Sequence, residues 1–195
     1  MRTFIAAPLS AELIKKLATL QNELKKRLSG ENMRPAWVRP EGIHLTLRFL
    51  GEMEESLLEP IADRLEGISA GFPPLQLQVK ELGAFPDAKR PRVLWLGLHG
   101  DRRISDLAAE VKASLSDLPL EPDDKTFKAH LTLARIKETS GSASAALKRI
   151  IEEKHDEEFA VLHVTEIRLY RSHLKQSGAE YEVLKSFRLG AKAGT

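Results

Sequence analysis

Apolar positions recur along this chain with two periods. Leu13, Leu17, Leu20, Leu24 and Leu28 follow one another at steps of three and four, which is one face of a helix. Ser10 stands where an N-cap belongs and Gly30 where such a helix would stop. The same period predicts three more helices. One runs through Ile61, Leu65 and Ile68, with Pro60 tolerable only near its first turn. A second, capped by Asp101, carries Ile104, Leu107, Ala108, Val111 and Leu115, and a third carries Ala146, Leu147, Ile150 and Ile151 behind the small residues 140–144. Alternating or continuously apolar runs predict strands at 3–7, 43–50, 75–79, 93–98, 127–134, 158–174 and 180–189. Residues 37–40 read as a short extended piece, 83–92 as a long polar hairpin loop, and 190–195 as a frayed tail.

In order these give strand and helix, then strand–helix–strand–strand, then, after a helix, strand–helix–strand–strand again. The residues repeat as well. His44-Leu-Thr-Leu and His130-Leu-Thr-Leu are identical tetrapeptides 86 positions apart. Trp95 follows the first His by 51 positions and Tyr181 follows the second by 51, each in the second strand of a hairpin. A duplicated unit of about half the chain is the simplest account. The predicted fold is α+β, a single domain over 1–195 of two lobes, with pseudo-two-fold symmetry around a central cleft.

Composition narrows this without redirecting it. At 195 residues, 42% hydrophobic and 30% charged, the chain suits one domain or two small lobes sharing an interface. Thirty Lys and Arg against 28 Asp and Glu give a net charge of +2, so a bulk polycation that coats nucleic acid is excluded while a local basic groove is not. The absence of Cys excludes disulfides, thiolate metal sites and a Cys nucleophile. No apolar run approaches the roughly 18 residues of a membrane span. A cytoplasmic monomer without cofactor is expected.

On a strand, residues i and i+2 share a face. His44 therefore projects with Thr46, and His130 with Thr132, while the leucines between them face the core. Two facing copies would put two imidazoles and two hydroxyls in one cleft. That set suits metal-free phosphodiester chemistry: one neutral imidazole takes a proton from the attacking oxygen and one imidazolium gives a proton to the leaving oxygen. The hydroxyls would donate to the non-bridging oxygens, where charge accumulates. The residues alone leave the two His interchangeable.

These motifs resemble those of the 2H phosphoesterases, and within them the RNA 2′,3′-cyclic phosphodiesterases, also called 2′-5′ RNA ligases. The blocks Arg2-Thr-Phe-Ile-Ala-Ala, Gly42-Ile-His-Leu-Thr-Leu-Arg-Phe-Leu-Gly51, Gly83-Ala-Phe-Pro, Arg90-Pro-Arg-Val-Leu-Trp95, His130-Leu-Thr-Leu-Ala-Arg135 and Leu169-Tyr-Arg-Ser172 fall in the family's order. The resemblance implies metal-independent hydrolysis of RNA or nucleoside 2′,3′-cyclic phosphates to 2′-phosphomonoesters. It implies His44 as general acid, His130 as general base, and Thr46 and Thr132 as phosphate holders. Alternatives are 2′-5′ RNA ligation as the main role and a non-catalytic RNA-binding module.

Other residues weigh less. Arg135 sits at an odd offset from His130 and reaches the cleft only if the strand ends or bulges first. Arg48 has the parity of His44 and can line the cleft, or be an exposed strand residue. Phe49 has the parity of the core, although the family pattern places an aromatic there, near the base. Lys89, Arg90 and Arg92 form a basic loop tip that could track an RNA backbone or simply be solvated, and Lys125 and Lys128 share that ambiguity. Trp37 is better placed for packing than for stacking a base. His99, His155, His163 and His173 lack a polar partner at strand spacing, and no metal-ligand pattern appears.

Overall fold

The computed structural model describes residues 1–123, 126–175 and 178–190. Lys125 and the tail beyond Gly190 lie outside the described residues. The elements are β1 (Arg2–Ala7), α1 (Ala11–Arg27), β2 (Met33–Trp37), β3 (Leu45–Glu52), α2 (Leu58–Gly71), β4 (Leu75–Phe85), β5 (Val93–Gly100), α3 (Arg103–Ser114), β6 (His130–Thr139), α4 (Gly141–Glu153), β7 (Glu158–Val164), β8 (Glu166–Lys175) and β9 (Gly178–Arg188). The α+β expectation holds. Ser10 caps α1 and Ser140 caps α4, each hydroxyl accepting from a backbone N–H at 3.2 Å.

Two curled antiparallel sheets organise the chain, ordered β3-β1-β8-β9 and β2-β6-β5-β4-β7. Helices α2 and α3 pack on the first sheet and α1 and α4 on the second. Leucines of the helical stripes, Leu13, Leu17, Leu24, Leu65 and Leu107, meet the inward side chains of the strands in one continuous core. At 25 cal/mol per Å² such side chains contribute about 2 kcal/mol each when fully buried.

The repeats of the sequence are not the lobes of the structure. Strand β3 belongs to the first sheet, yet the hairpin that follows it, β4–β5, belongs to the second beside β6. In return, the hairpin β8–β9 that follows β6 joins the first sheet beside β1. Each motif strand thus shares a sheet with the other copy's hairpin. The predicted strand 158–174 is really two strands: it breaks at Thr165, where β7 leaves β4 and β8 goes on to β1. The equal 51-residue spacing does not mark equivalent positions either. Trp95 is the direct cross-strand partner of Thr132, whereas Tyr181 lies on the edge strand β9 and opposes Ser172.

Trp95 also explains one glycine. A Cβ at Gly83 would fall 2.3 Å from the Trp95 ring, so the indole lies flat on bare backbone.

Candidate active site

His44 stands one residue before β3, and its Nδ1 lies 2.8 Å from the Gly42 carbonyl. His130 opens β6 with its Nδ1 2.6 Å from the Lys128 carbonyl. A carbonyl can only accept, so in both rings Nδ1 carries the hydrogen and Nε2 is the nitrogen left to exchange a proton. The two copies hold their imidazoles by the same device, a bond to the carbonyl two residues back.

Their surroundings differ. The His44 ring stacks on Phe4 at 4.7 Å, Phe4 stacks on Tyr170 at 5.1 Å, and Tyr181 meets His44 edge-on at 5.2 Å. This aromatic bed buries the imidazole and lowers its pKa to about 4; the bond to Gly42 works against that, and the charge of nearby His130 adds to it. His130 touches one aromatic, Phe85, edge-on at 5.2 Å. Its pKa is also lowered, first by burial, with the Lys128 carbonyl opposing and the cations Arg135 and Lys128 pushing it down further. Lys128 Nζ itself sits 5.4 Å from the centre of the Phe85 ring.

A cavity of about 290 Å³ opens between the two sheets, and His44, Thr46, Phe49, Thr132, Arg135 and Tyr181 are among its walls. His130 is not itself a wall of it. It is the i−2 neighbour of Thr132, and its charge bears on His44.

The positions after each Thr depend on a feature that strand periodicity does not contain. Opposite β1, Ala6 pairs with Thr46 and Ile5 with Arg48, so Leu47 is skipped. Opposite β5, Trp95 pairs with Thr132 and Leu94 with Ala134, so Leu133 is skipped. Both strands therefore carry a bulge at the same place, and the bulge reverses which side chains face the cleft. Arg135 and Phe49, five residues after their His, both line the cavity. Phe49 is thus corrected from a core residue to one that is 54% exposed. Arg48 is corrected in the opposite sense. It is 6% exposed and turned away from the cavity, with Nη1 donating to the Lys112 carbonyl of α3 at 3.0 Å. Burial lowers its pKa, against the favourable charge of Asp123. The bulge in β6 has a tie of its own: the Leu133 carbonyl accepts from Gln21 Nε2 of α1 at 3.0 Å and from Val38 N at 2.9 Å.

The remaining candidates lie elsewhere. Trp37 is packed against the core with Lys25 Nζ 5.5 Å from its ring centre. His99 faces Glu81 at 3.0 Å and His173 faces Glu182 at 2.8 Å, partners that strand spacing does not reveal. His155 and His163 are exposed. Sequence reasoning misses Phe4, Phe85 and Tyr181 as site residues. The signal for Phe4 and Phe85 is that each falls in a block that carries the resemblance, Arg2-Thr-Phe-Ile-Ala-Ala and Gly83-Ala-Phe-Pro.

Comparison with known proteins follows the same lines. The family described as LigT like Phosphoesterase matches residues 7–95 and 97–181, one segment around each His-Leu-Thr-Leu. The RNA 2′,3′-cyclic phosphodiesterase of Aeropyrum pernix is 38% identical over 75% of this chain and 82% of its own. That of Archaeoglobus fulgidus is 34% identical over 96% of this chain and 99% of its own. Among solved structures, TT0787 of Thermus thermophilus superposes with a TM-score of 0.79 at 27% identity, covering 98% of this chain and 100% of that one. Escherichia coli LigT complexed with 3′-AMP superposes at 0.75 with 24% identity over 96% of this chain and 97% of that one, a likeness of fold.

Proposed function

The chain belongs to the LigT-like phosphoesterase family, and from that premise we propose that it hydrolyses RNA or nucleoside 2′,3′-cyclic phosphates to 2′-phosphomonoesters, with the two imidazoles as acid and base and without a metal. The observation that carries this reading is the paired tether: two imidazoles, each fixed through Nδ1 to a backbone carbonyl, each with Nε2 available and a Thr two residues on.

In this mechanism the cyclic phosphate lies between Thr46 and Thr132, whose hydroxyls donate to the non-bridging oxygens as charge builds on them. Nε2 of His130 takes a proton from water as the water oxygen attacks phosphorus. The bond from phosphorus to O3′ breaks, and Nε2 of His44 gives its proton to O3′. One water is consumed, a 2′-monoester and a 3′-hydroxyl are formed, and the enzyme resets as His130 releases its proton to solvent and His44 takes one up.

Both imidazoles are biased toward the neutral form before substrate arrives, so the division of labour between them rests on the family resemblance. Burial, and after it the cations Arg135 and Lys128, favour the neutral form of His130, which is the form a base requires. His44 on its own is neutral as well, since burial lowers its pKa to about 4. The arriving phosphate anion offsets that burial and lets His44 bind the proton it later donates. Arg135 at the cavity wall adds positive charge for the same anion.

The test is hydrolysis of a 2′,3′-cyclic nucleotide in excess chelator, with the product read by phosphorus NMR. A 2′-monoester, together with a rate loss of about 10²-fold or more in each of His44→Ala and His130→Ala, is the expected result. Chelator-sensitive turnover, a 3′-monoester, or full activity in either variant would overturn the mechanism.

A further inference from the structure

Beyond their bulges the two motif strands diverge in chemistry. On β6 the exposed row continues from Arg135 to Lys137, with Ile136 buried between them. On β3 it continues from Phe49 to Gly51 and Glu52, and a hollow there is walled by Glu52, Glu121 and Asp123 together with Arg2 and Arg135. The β6 side of the cleft therefore continues in cations alone as far as Lys137, whereas the β3 side is aromatic and mixed in charge.

The cationic rim does not end at Lys137. Lys137 shares a separate hollow of about 380 Å³ with Lys89, Arg90 and Arg92 of the β4–β5 connection; Glu138 also lines it, its carboxylate 3.5 Å from Arg34 Nε. That connection is held in place. The Asp87 carboxylate accepts from the N–H groups of Lys89 and Arg90 at 2.8 and 3.0 Å, Arg92 N donates to the Phe85 carbonyl at 2.7 Å, and Ile136 N donates to the Arg92 carbonyl at 2.8 Å. Arg92 Nη1 also reaches the Lys137 carbonyl at 3.2 Å. The loop is thus sewn to β6 and to Phe85, the residue against which His130 rests. Among the described residues Lys89, Arg90 and Lys137 enter no ion pair, and the side chains of Lys89 and Arg90 are exposed. Four cations are presented together, three on a fixed loop and Lys137 on the strand that carries His130.

We propose that this hollow is a second phosphate-binding site, which holds the backbone of the RNA strand preceding the cyclic end. Five residues separate Thr132 from Lys137, roughly 15 Å of strand, so the site lies beyond the terminal nucleotide and serves the ones before it. A flexible polyanion bound by separate cations gains affinity chiefly through counterion release. Charge complementarity and continuity with the cleft select RNA as the occupant, and this inference rests on reading the cleft as an RNA-end site.

The test compares wild type with Lys89→Ala/Arg90→Ala, an exposed double substitution that leaves the core untouched. Binding of a labelled hexaribonucleotide ending in a 2′-phosphate is followed by fluorescence anisotropy across a salt series. A weakening of about fivefold or more is expected, with the salt slope shallower by about 1.4, or 0.7 per cation removed. Hydrolysis of a cyclic mononucleotide should keep its kcat and KM. Unchanged hexamer affinity and slope, or an equal loss with the mononucleotide, would overturn the second site. If wild type hydrolyses no cyclic phosphate, the proposed activity falls, and the binding comparison still decides this inference.

Discussion

His44 and His130 show how two copies of one tetrapeptide acquire different chemistry from their neighbours. Both rings are tethered through Nδ1 to the carbonyl two residues back. His44 lies on the stacked rings of Phe4 and Tyr170, whereas His130 meets one ring edge-on and has Arg135 and Lys128 close by. The tether comes from the motif; the environment comes from β1, β8 and β9 in one sheet and from β4 in the other. The repeated motif supplies two equally tethered imidazoles, and packing makes them unequal.

The sharpest way to break this comparison is to delete both carriers. If the two imidazoles act on one phosphorus, His44→Ala/His130→Ala should lose little more than either single variant, about 10²-fold or more in kcat, because groups that act as a unit are not additive. Multiplied losses would mean two independent sites. Next come the hydroxyls. Thr46→Val and Thr132→Val should each lower kcat by about 10²-fold with little change in KM, as expected for donors that strengthen in the transition state. A loss in only one of them would show that a single lobe holds the phosphoryl oxygens.

The bulged positions separate function from packing. Phe49→Ala should raise KM for a cyclic nucleotide by about tenfold through lost stacking while leaving thermal stability nearly unchanged. Arg48→Ala should do the reverse, costing about 1–3 kcal/mol in urea unfolding because the Lys112 carbonyl loses its donor, with KM unaffected. The smallest effect is on stability against pH. A His whose folded pKa is depressed takes up protons on unfolding, so its neutral form contributes stability that is present above the unfolded value near 6.5 and is lost as pH falls toward about 4. Urea midpoints at pH 7 and pH 5 should show wild type losing on the order of 1–2 kcal/mol, and His44→Asn should flatten that difference.

The helices and most strands were legible because leucine spacing reports directly on a buried face, as Leu13 to Leu28 do along α1 and its end. The four motif positions were legible because identical polar residues recurred on the same strand parity. Strand alternation misplaces Arg48 and Phe49 for one reason. A bulge at Leu47 inserts a residue that no alternation rule anticipates, and its cause lies in pairing with β1, about 40 positions away. The condition set for Arg135, that β6 must end or bulge before it, was the clue: the same bulge at Leu133 carries Arg135 to the cavity. The exchange of hairpins was illegible as well. Residues 158–174 read as one strand because the apolar run passes through Thr165 without a turn signal, although the chain changes sheets there.

That change of sheets has a mechanical consequence. Cutting the chain in the middle would leave each fragment with a motif strand and someone else's scaffold: β4 and β5 would be stranded from β6, and β8 and β9 from β1. The halves of the sequence are laced rather than hinged, so neither can be drawn away from the other without pulling strands out of both sheets at once.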